Sequence, residues 1–278
     1  MQKDSSSIFR KKRQMLNKIL EHKRNVVEQK KLSIPLDVLK QRIQPTVCRS
    51  VIERTKQQPF IIIAETKKAS PSGGIFRKKY SPSKIAASYE KGGASAISVL
   101  TEDRYFLGSP RHLQSVKNTV SVPVLAKDFF IDPYQIYEAK MYGADCILLI
   151  IRILSDEQFI SLLSVARTLN LEILVELHTE KEIERFFNIM PASKGILVGI
   201  NSRDLDSLRI DLNITIYLIS LLKGVKIPII AESGVNDIKT VIDLYNAGAS
   251  GALIGSRFLK EKSPGMSVTK FLKEIYDG

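Results

Sequence analysis

The 278 residues contain no tryptophan, two cysteines and three histidines. Cys48 and Cys146 cannot build a disulfide framework, which points to a reducing compartment, the cytoplasm. No apolar run approaches the roughly 18 residues of a membrane-spanning helix. The opening stretch MQKDSSSIFRKKRQMLNKIL has no continuous apolar core, so a secretory signal is not expected. His22, His112 and His178 fall at no metal-ligand spacing, and no G-x-G-x-x-G follows an apolar run. Metal and dinucleotide chemistry are therefore not expected, no cofactor is called for, and neither cysteine has a partner that would make it a nucleophile. Eleven prolines and fifteen glycines are too few for a collagenous or linker-like chain.

Acidic residues are the scarce charge, 29 against 42 Lys and Arg, for a net +13. Such an excess suits nucleic acid, a membrane surface or an anionic small molecule. Residues 1–31 carry ten Lys/Arg and three acids (Asp4, Glu21, Glu28), so +7 sits there and +6 on the other 247 residues. In that arm Ile8, Met15, Leu16, Ile19, Leu20, Val26 and Val27 recur mostly three, four or seven apart. This is an amphipathic helix, expected to dock on the body with a wet basic face. Phe9 is the one aromatic there, too little for base stacking, so neither nucleic acid nor membrane is the expected partner.

After Pro45 short apolar runs alternate with longer amphipathic stretches. Eight runs are recognised: 60–64 (FIIIA), 96–100 (AISVL), 122–126 (VPVLA), 146–151 (CILLII), 172–175 (EILV), 196–200 (ILVGI), 227–231 (IPIIA) and 252–254 (ALI). Their starts lie 24 to 36 residues apart, the length a parallel strand needs to return through a helix. Nearly continuous apolar runs are what a sheet covered on both faces requires. Asp132-Pro133 and Ser155-Asp156-Glu157 are helix starts. Gly93-Ala94, Gly143-Ala144 and Gly248-Ala249 form a partial repeat in which glycine ends a helix before a strand. The expectation is a (β/α)₈ TIM barrel over 46–278 behind an N-terminal helical extension, 1–45; a doubly wound sheet is the alternative.

In such a barrel the groups just past each strand's C-terminal end form the active site. Here they are polar: Glu65-Thr66-Lys67-Lys68, Thr101-Glu102, Lys127-Asp128, Glu176, Asn201-Ser202-Arg203-Asp204, Glu232-Ser233-Gly234 and Gly255-Ser256. Side chains alternate along a strand, so Glu65 and Lys67 face one way and Thr66 the other. Acids and bases converging on one mouth shift each other's proton affinity, as proton transfer near neutral pH requires. Ser233-Gly234 and Gly255-Ser256 follow strands 7 and 8, the recurrent phosphate site of this fold. Strand 4 offers Arg152 alone, and His178 reads as a surface or supporting histidine.

The segments IIIAETKKASPSGG, SVLTEDRYFLGS, LAKDFFIDPYQIYEAKMYGAD, VEL, GINSRDL, AESGV and ALIGS, in this order, resemble the indole-3-glycerol phosphate synthase family from about residue 45 to 260. The helical arm is similar too. The resemblance implies conversion of 1-(2-carboxyphenylamino)-1-deoxyribulose 5-phosphate to indole-3-glycerol phosphate, with loss of CO₂ and water, in tryptophan biosynthesis. It implies Lys127 as general acid, Glu176 as general base, and Glu65 as the group that assists them. Lys67 pairs with substrate oxyanions, the phosphate included, and is the second candidate for the acid. Ser70 and Arg203 take the anthranilate carboxylate, Asn201 and Ser233 the ribulose hydroxyls, and backbone groups of Gly234, Gly255 and Ser256 the phosphate. Phe106, Phe129 and Leu205 form the aromatic pocket, with Glu232 standing behind the reacting groups. Thr66 departs from the expected pattern between Glu65 and Lys67, but faces away from the barrel axis. A single-activity form, monomeric or weakly self-associating, is implied. Other phosphate-binding barrels of the same pathway, and an inactive barrel whose basic arm binds a partner, are the competing readings.

Overall fold

A computed structural model describes residues 5–44, 47–190, 192–204 and 209–277. Helices α1 (Ser5–Ser33), α2 (Leu36–Gln41) and α3 (Val51–Gln57) come first. Eight parallel strands then close into a barrel: β1 (Ile61–Thr66), β2 (Ala96–Leu100), β3 (Val124–Lys127), β4 (Cys146–Ile150), β5 (Glu172–Leu177), β6 (Ile196–Asn201), β7 (Ile229–Glu232) and β8 (Gly251–Ile254). Strand β8 pairs back onto β1 from Ile61↔Gly251 to Ala64↔Ile254, so the sheet is closed rather than doubly wound. Between the strands run α4 (Pro82–Lys91), α5 (Pro110–Lys117), α6 (Pro133–Met141), α7 (Asp156–Thr168), α8 (Glu180–Ile189), α9 (Leu212–Leu221) and α10 (Ile238–Ala247). The short α11 (Ser256–Lys260) and α12 (Pro264–Asp277) follow β8. The expected boundary at Pro45 falls on residues 45–46, outside the described residues.

The strands differ from the apolar runs at their ends. Strands β3 and β7 start two residues later, because Pro123 and Pro228 have no N–H to give. Their carbonyls still accept the N–H of Ile97 and Val198 at 2.9 Å, which suits a strand entry. Strands β1 and β5 run on past the apolar run, to Thr66 and Leu177, and so carry Glu65 and Glu176 inside the ladder. The helix starts are as expected. Asp132 and Ser155 each accept the backbone of the first turn, while Gln135 and Gln158 reach back to the cap residue. The repeated glycines Gly93, Gly143 and Gly248 have φ of +97°, +91° and +117°, the left-handed turn out of a helix that a side chain resists.

Strand parity divides the core. Ile62, Ala64, Ile97, Val99, Ile147, Ile173, Val175, Val198 and Ile200 face the helical layer. Ile61, Ile63, Leu125, Leu148, Leu174, Leu197, Ile230 and Leu253 fill the barrel interior, which Val51 of α3 closes from below and Ile19 and Leu20 of α1 from above. Among the described residues no helix is long and apolar enough to cross a membrane.

The arm docks as an amphipathic helix, but its basic face is less solvated than expected. Lys23 is buried and pairs with Asp128 at 2.8 Å. Lys30 pairs with Glu138 at 2.7 Å and Lys31 with Asp132 at 2.6 Å. His22 meets Asp103 at 3.1 Å. Three of the arm's lysines are therefore matched to barrel acids across the α1 contact.

Asp145 ties the lower end together. It is buried, accepts the N–H of Arg49 and of Val124 at 2.9 Å, and pairs with Lys117 at 2.6 Å. Breaking a buried pair from one side strands the other charge, at a cost of about 3–5 kcal/mol. Asp145→Ala should lower the unfolding free energy by roughly 3 kcal/mol in urea titration, with turnover per folded molecule little changed. A loss below about 1 kcal/mol would mean that solvent replaces those contacts.

Candidate active site

The upper ends of the strands enclose a cavity of about 660 Å³. Its charged floor follows from parity. The inward positions that hold Ile61 and Ile63, Leu125, Leu174, Leu197 and Ile230 lower down continue two residues later as Glu65, Lys127, Glu176, Asn201 (four on from Leu197) and Glu232. Thr66 points outward to the Tyr80 hydroxyl at 2.9 Å, as alternation requires.

Lys127 stands at the centre, its ammonium 2.6 Å from Glu232 and 3.3 Å from Glu176. Burial would lower its proton affinity, but Glu232, Glu176 and Glu65 outweigh that and push its pKa up. The two carboxylates part company. Burial would raise Glu176, yet Lys127 and His178 hold it well below the usual range. Burial and the repulsion of Glu176 raise Glu232 to about 7 against the pull of Lys127. Neighbouring acids with proton affinities driven apart are the pattern of acid–base sites. Gly199 makes room for this, since a Cβ there would meet Glu232 Oε1 at 2.3 Å. Oε1 of Glu232 is buried without a hydrogen bond, and such an orphan in a cavity marks a place for a ligand.

Glu232 is thus closer to the Lys127 ammonium than Glu176 is. Lys67 forms an ion pair with Glu65 and lies 5.4 Å from the Phe76 ring centroid. Ser70, in a two-residue hairpin with Gly74, lines the cavity while its hydroxyl accepts the Gly73 N–H at 3.0 Å. Arg203 lines the cavity beside Asn201, whose Oδ1 accepts the Arg203 N–H at 3.0 Å. Phe106 and Phe129 form the apolar wall, ring centroids 6.3 Å apart. Opposite, Ser233 and Gly234 both take left-handed backbone, φ 65° and 78°, an arrangement a serine adopts only where the surroundings impose it. Gly255 and Ser256 complete that side. Leu205 lies outside the described residues.

Several lining residues have no signal in strand-end reasoning. Met15, Leu16 and Ile19 of α1 reach into the cavity roof, and Arg257 and Lys260 of α11 stand beside the Ser233–Gly234 side. Arg152, the lone polar group after β4, turns to Glu182 at 3.0 Å and Asp204 at 3.4 Å. His178 is buried rather than superficial. His22, Glu102 and Asp103 bring three possible metal-ligand atoms within 4.8 Å. Glu102 is already engaged by the N–H groups of Arg104, Tyr105 and Phe106, however, and Asp103 by Lys23 at 3.8 Å.

An eight-stranded parallel barrel with a buried lysine between two carboxylates and a glycine-rich anion side defines a phosphate-handling acid–base enzyme. The model of the indole-3-glycerol phosphate synthase family matches residues 16–271, and the chain belongs to that family, whose members catalyse a decarboxylative ring closure in tryptophan biosynthesis. It is 40% identical over 262 residues to indole-3-glycerol phosphate synthase of Aliarcobacter butzleri, covering 92% of this chain and 98% of the relative. It is 36% identical over 265 residues to that of Carboxydothermus hydrogenoformans, covering 92% and 99%. Among solved structures, KGPDC from Streptococcus mutans superposes with a TM-score of 0.62 at 14% identity, covering 79% of this chain and 99% of that one. That likeness shows the barrel fold.

Proposed function

We propose that the chain converts 1-(2-carboxyphenylamino)-1-deoxyribulose 5-phosphate to indole-3-glycerol phosphate, CO₂ and water. The observation that carries this is the Lys127 ammonium between Glu176 and Glu232 on the floor of a cavity with one aromatic and one glycine-rich side. Phe106 and Phe129 face the anthranilate ring, and Arg203 with Ser70 meets its carboxylate. The phosphate lies across the cavity on backbone N–H groups of Gly234, Gly255 and Ser256, within reach of Lys67. Asn201 and Ser233 take the ribulose hydroxyls. With both ends held, the ketone carbon sits over the ring carbon that carries the carboxylate, and positioning supplies part of the rate.

Lys127 gives its proton to the ketone oxygen as that ring carbon bonds to the ketone carbon. The C–CO₂⁻ bond then breaks, its electron pair returns to the ring, and CO₂ departs. In the dehydration half a cation protonates the hydroxyl that leaves as water, while Glu176 takes the proton whose loss completes the pyrrole. Glu232 holds Lys127 charged and in place, and Glu65 pairs with Lys67. Residues 1–45 act as an extension that roofs the ring pocket, and 46–278 as the catalytic barrel. The described site comes from one chain, so a monomer suffices, with the anionic substrate as its partner and the cytoplasm as its location.

The test is turnover of that substrate by the purified full chain, without added metal, read as indole fluorescence and CO₂ release. Folded protein that forms no product overturns the reading.

A further inference from the structure

Six buried or half-buried titratable side chains form a row through the upper barrel: Arg152, Glu182, His178, Glu176, Lys127 and Glu232. His178 lies near its middle, two residues past Glu176 and therefore on the same side of the strand direction. Its Nε2 is 3.2 Å from Glu176 Oε1 and its Nδ1 is 3.5 Å from Glu182 Oε2. Glu182, in the first turn of α8, is fixed by three further contacts. Its Oε2 accepts the His178 backbone N–H at 2.7 Å, its Oε1 accepts Arg152 Nε at 3.0 Å, and its own N–H is capped by Thr179 at 3.2 Å. Arg152 continues to Asp204 at 3.4 Å. The His178 side chain is only 3% exposed.

A neutral ring here would present one nitrogen lone pair to a buried carboxylate. A doubly protonated ring places a positive charge between the two carboxylates, 3.2 Å from one and 3.5 Å from the other. The acids facing it are Glu176 from β5 and Glu182 from α8. The nearest cations are Lys127, beyond Glu176, and Arg152, beyond Glu182. We propose that His178 is a positioning residue, an imidazolium that keeps Glu176 charged and aimed while Lys127 gives up and regains its proton. The inference rests on the assignment of Glu176 as base and Lys127 as acid.

Glu176 has a nitrogen close to each oxygen, Lys127 Nζ 3.3 Å from Oε2 and His178 Nε2 3.2 Å from Oε1, the second an ion-pair contact without hydrogen-bond alignment. Proton donation neutralises Lys127 and removes the first of these charges. Without a second cation the buried carboxylate would then draw a proton itself and cease to be a base. His178 supplies that second cation from outside the reacting pair, and Glu182 and Arg152 hold it there. Burial opposes the imidazolium, but the two carboxylates prevail and raise its pKa to about 9.

The chain has three histidines, His22, His112 and His178, so imidazole C2–H proton signals of the full-length protein can be followed individually against pH. One signal should titrate near 9 and vanish in His178→Gln. In steady-state assays His178→Gln should lower kcat about tenfold near pH 7 with KM changed less than threefold. It should also move the acidic limb of the kcat profile up by about one unit, because the lost positive charge lets Glu176 protonate more readily. Glu182→Gln should shift the His178 titration to lower pH and draw the basic limb with it. The inference is overturned if all three histidines are neutral above pH 7, or if the acidic limb of His178→Gln coincides with that of the wild type. Should His178→Gln not fold, the wild-type titration and Glu182→Gln decide alone. A wild-type chain without turnover would sink the proposed function, whereas a turning-over chain with a neutral His178 would sink only this inference.

Discussion

Lys127→Met is expected to reduce kcat by about 10²–10⁴-fold, the span over which a positioned acid or base contributes. Methionine keeps most of the stem and loses the charge. The two carboxylates on either side, 2.6 and 3.3 Å from the ammonium, would then face each other across a buried space without the cation between them. One of them would take up a proton, and Glu232 is the candidate because burial and its neighbour already raise it to about 7. The variant thus loses the acid directly, and its remaining charge pattern changes as well. KM should move far less than kcat, since ring pocket and phosphate side are untouched. Circular dichroism separates this from unfolding. Near wild-type turnover in folded Lys127→Met would move the acid role to Lys67, which pairs with Glu65 on the same floor.

Glu176→Gln carries the second large effect, again about 10²–10⁴-fold in kcat. The amide keeps the shape and removes the base. Because the assigned role lies in the dehydration half, a single-turnover experiment should separate the products: CO₂ release should persist while indole fluorescence lags far behind. Parallel loss of both signals would place Glu176 before decarboxylation instead. Glu232→Gln should be milder, because its work is to hold Lys127 charged and oriented, and the Glu65 and Glu176 carboxylates still do so in part.

The strand-end rule picks out most of the strand residues that line the cavity, because it follows from period-two alternation. An inward core residue such as Leu125 or Leu174 places Lys127 or Glu176 two steps later on the same side, above the packed interior. The same rule turns Thr66 outward. It fails where a side chain reaches the cavity from an element that is not a strand. Met15, Leu16 and Ile19 look like the buried stripe of a docked helix, which they are, and only the placement of α1 makes that stripe a roof. Lys23, Lys30 and Lys31 look like solvated charge until their barrel partners, about 100 residues further along the chain, come alongside.

The sequence by itself determined a series of eight βα units: eight apolar runs at the spacing of such units, glycines where helices must turn left-handed, and polar groups at the strand ends. It determined which side chains share a face, since that depends only on counting along one strand. The tertiary structure decided who meets whom. Lys127 and Glu232 are 105 residues apart, and only closure of the sheet brings them to 2.6 Å. Register between strands, the Cβ-free space at Gly199 and the docking of α8 decide that Glu232 shares Lys127 with Glu176, and that His178 lies buried beside them. Such distances are set around the barrel, perpendicular to the chain, where the spacing of residues along a strand carries no information.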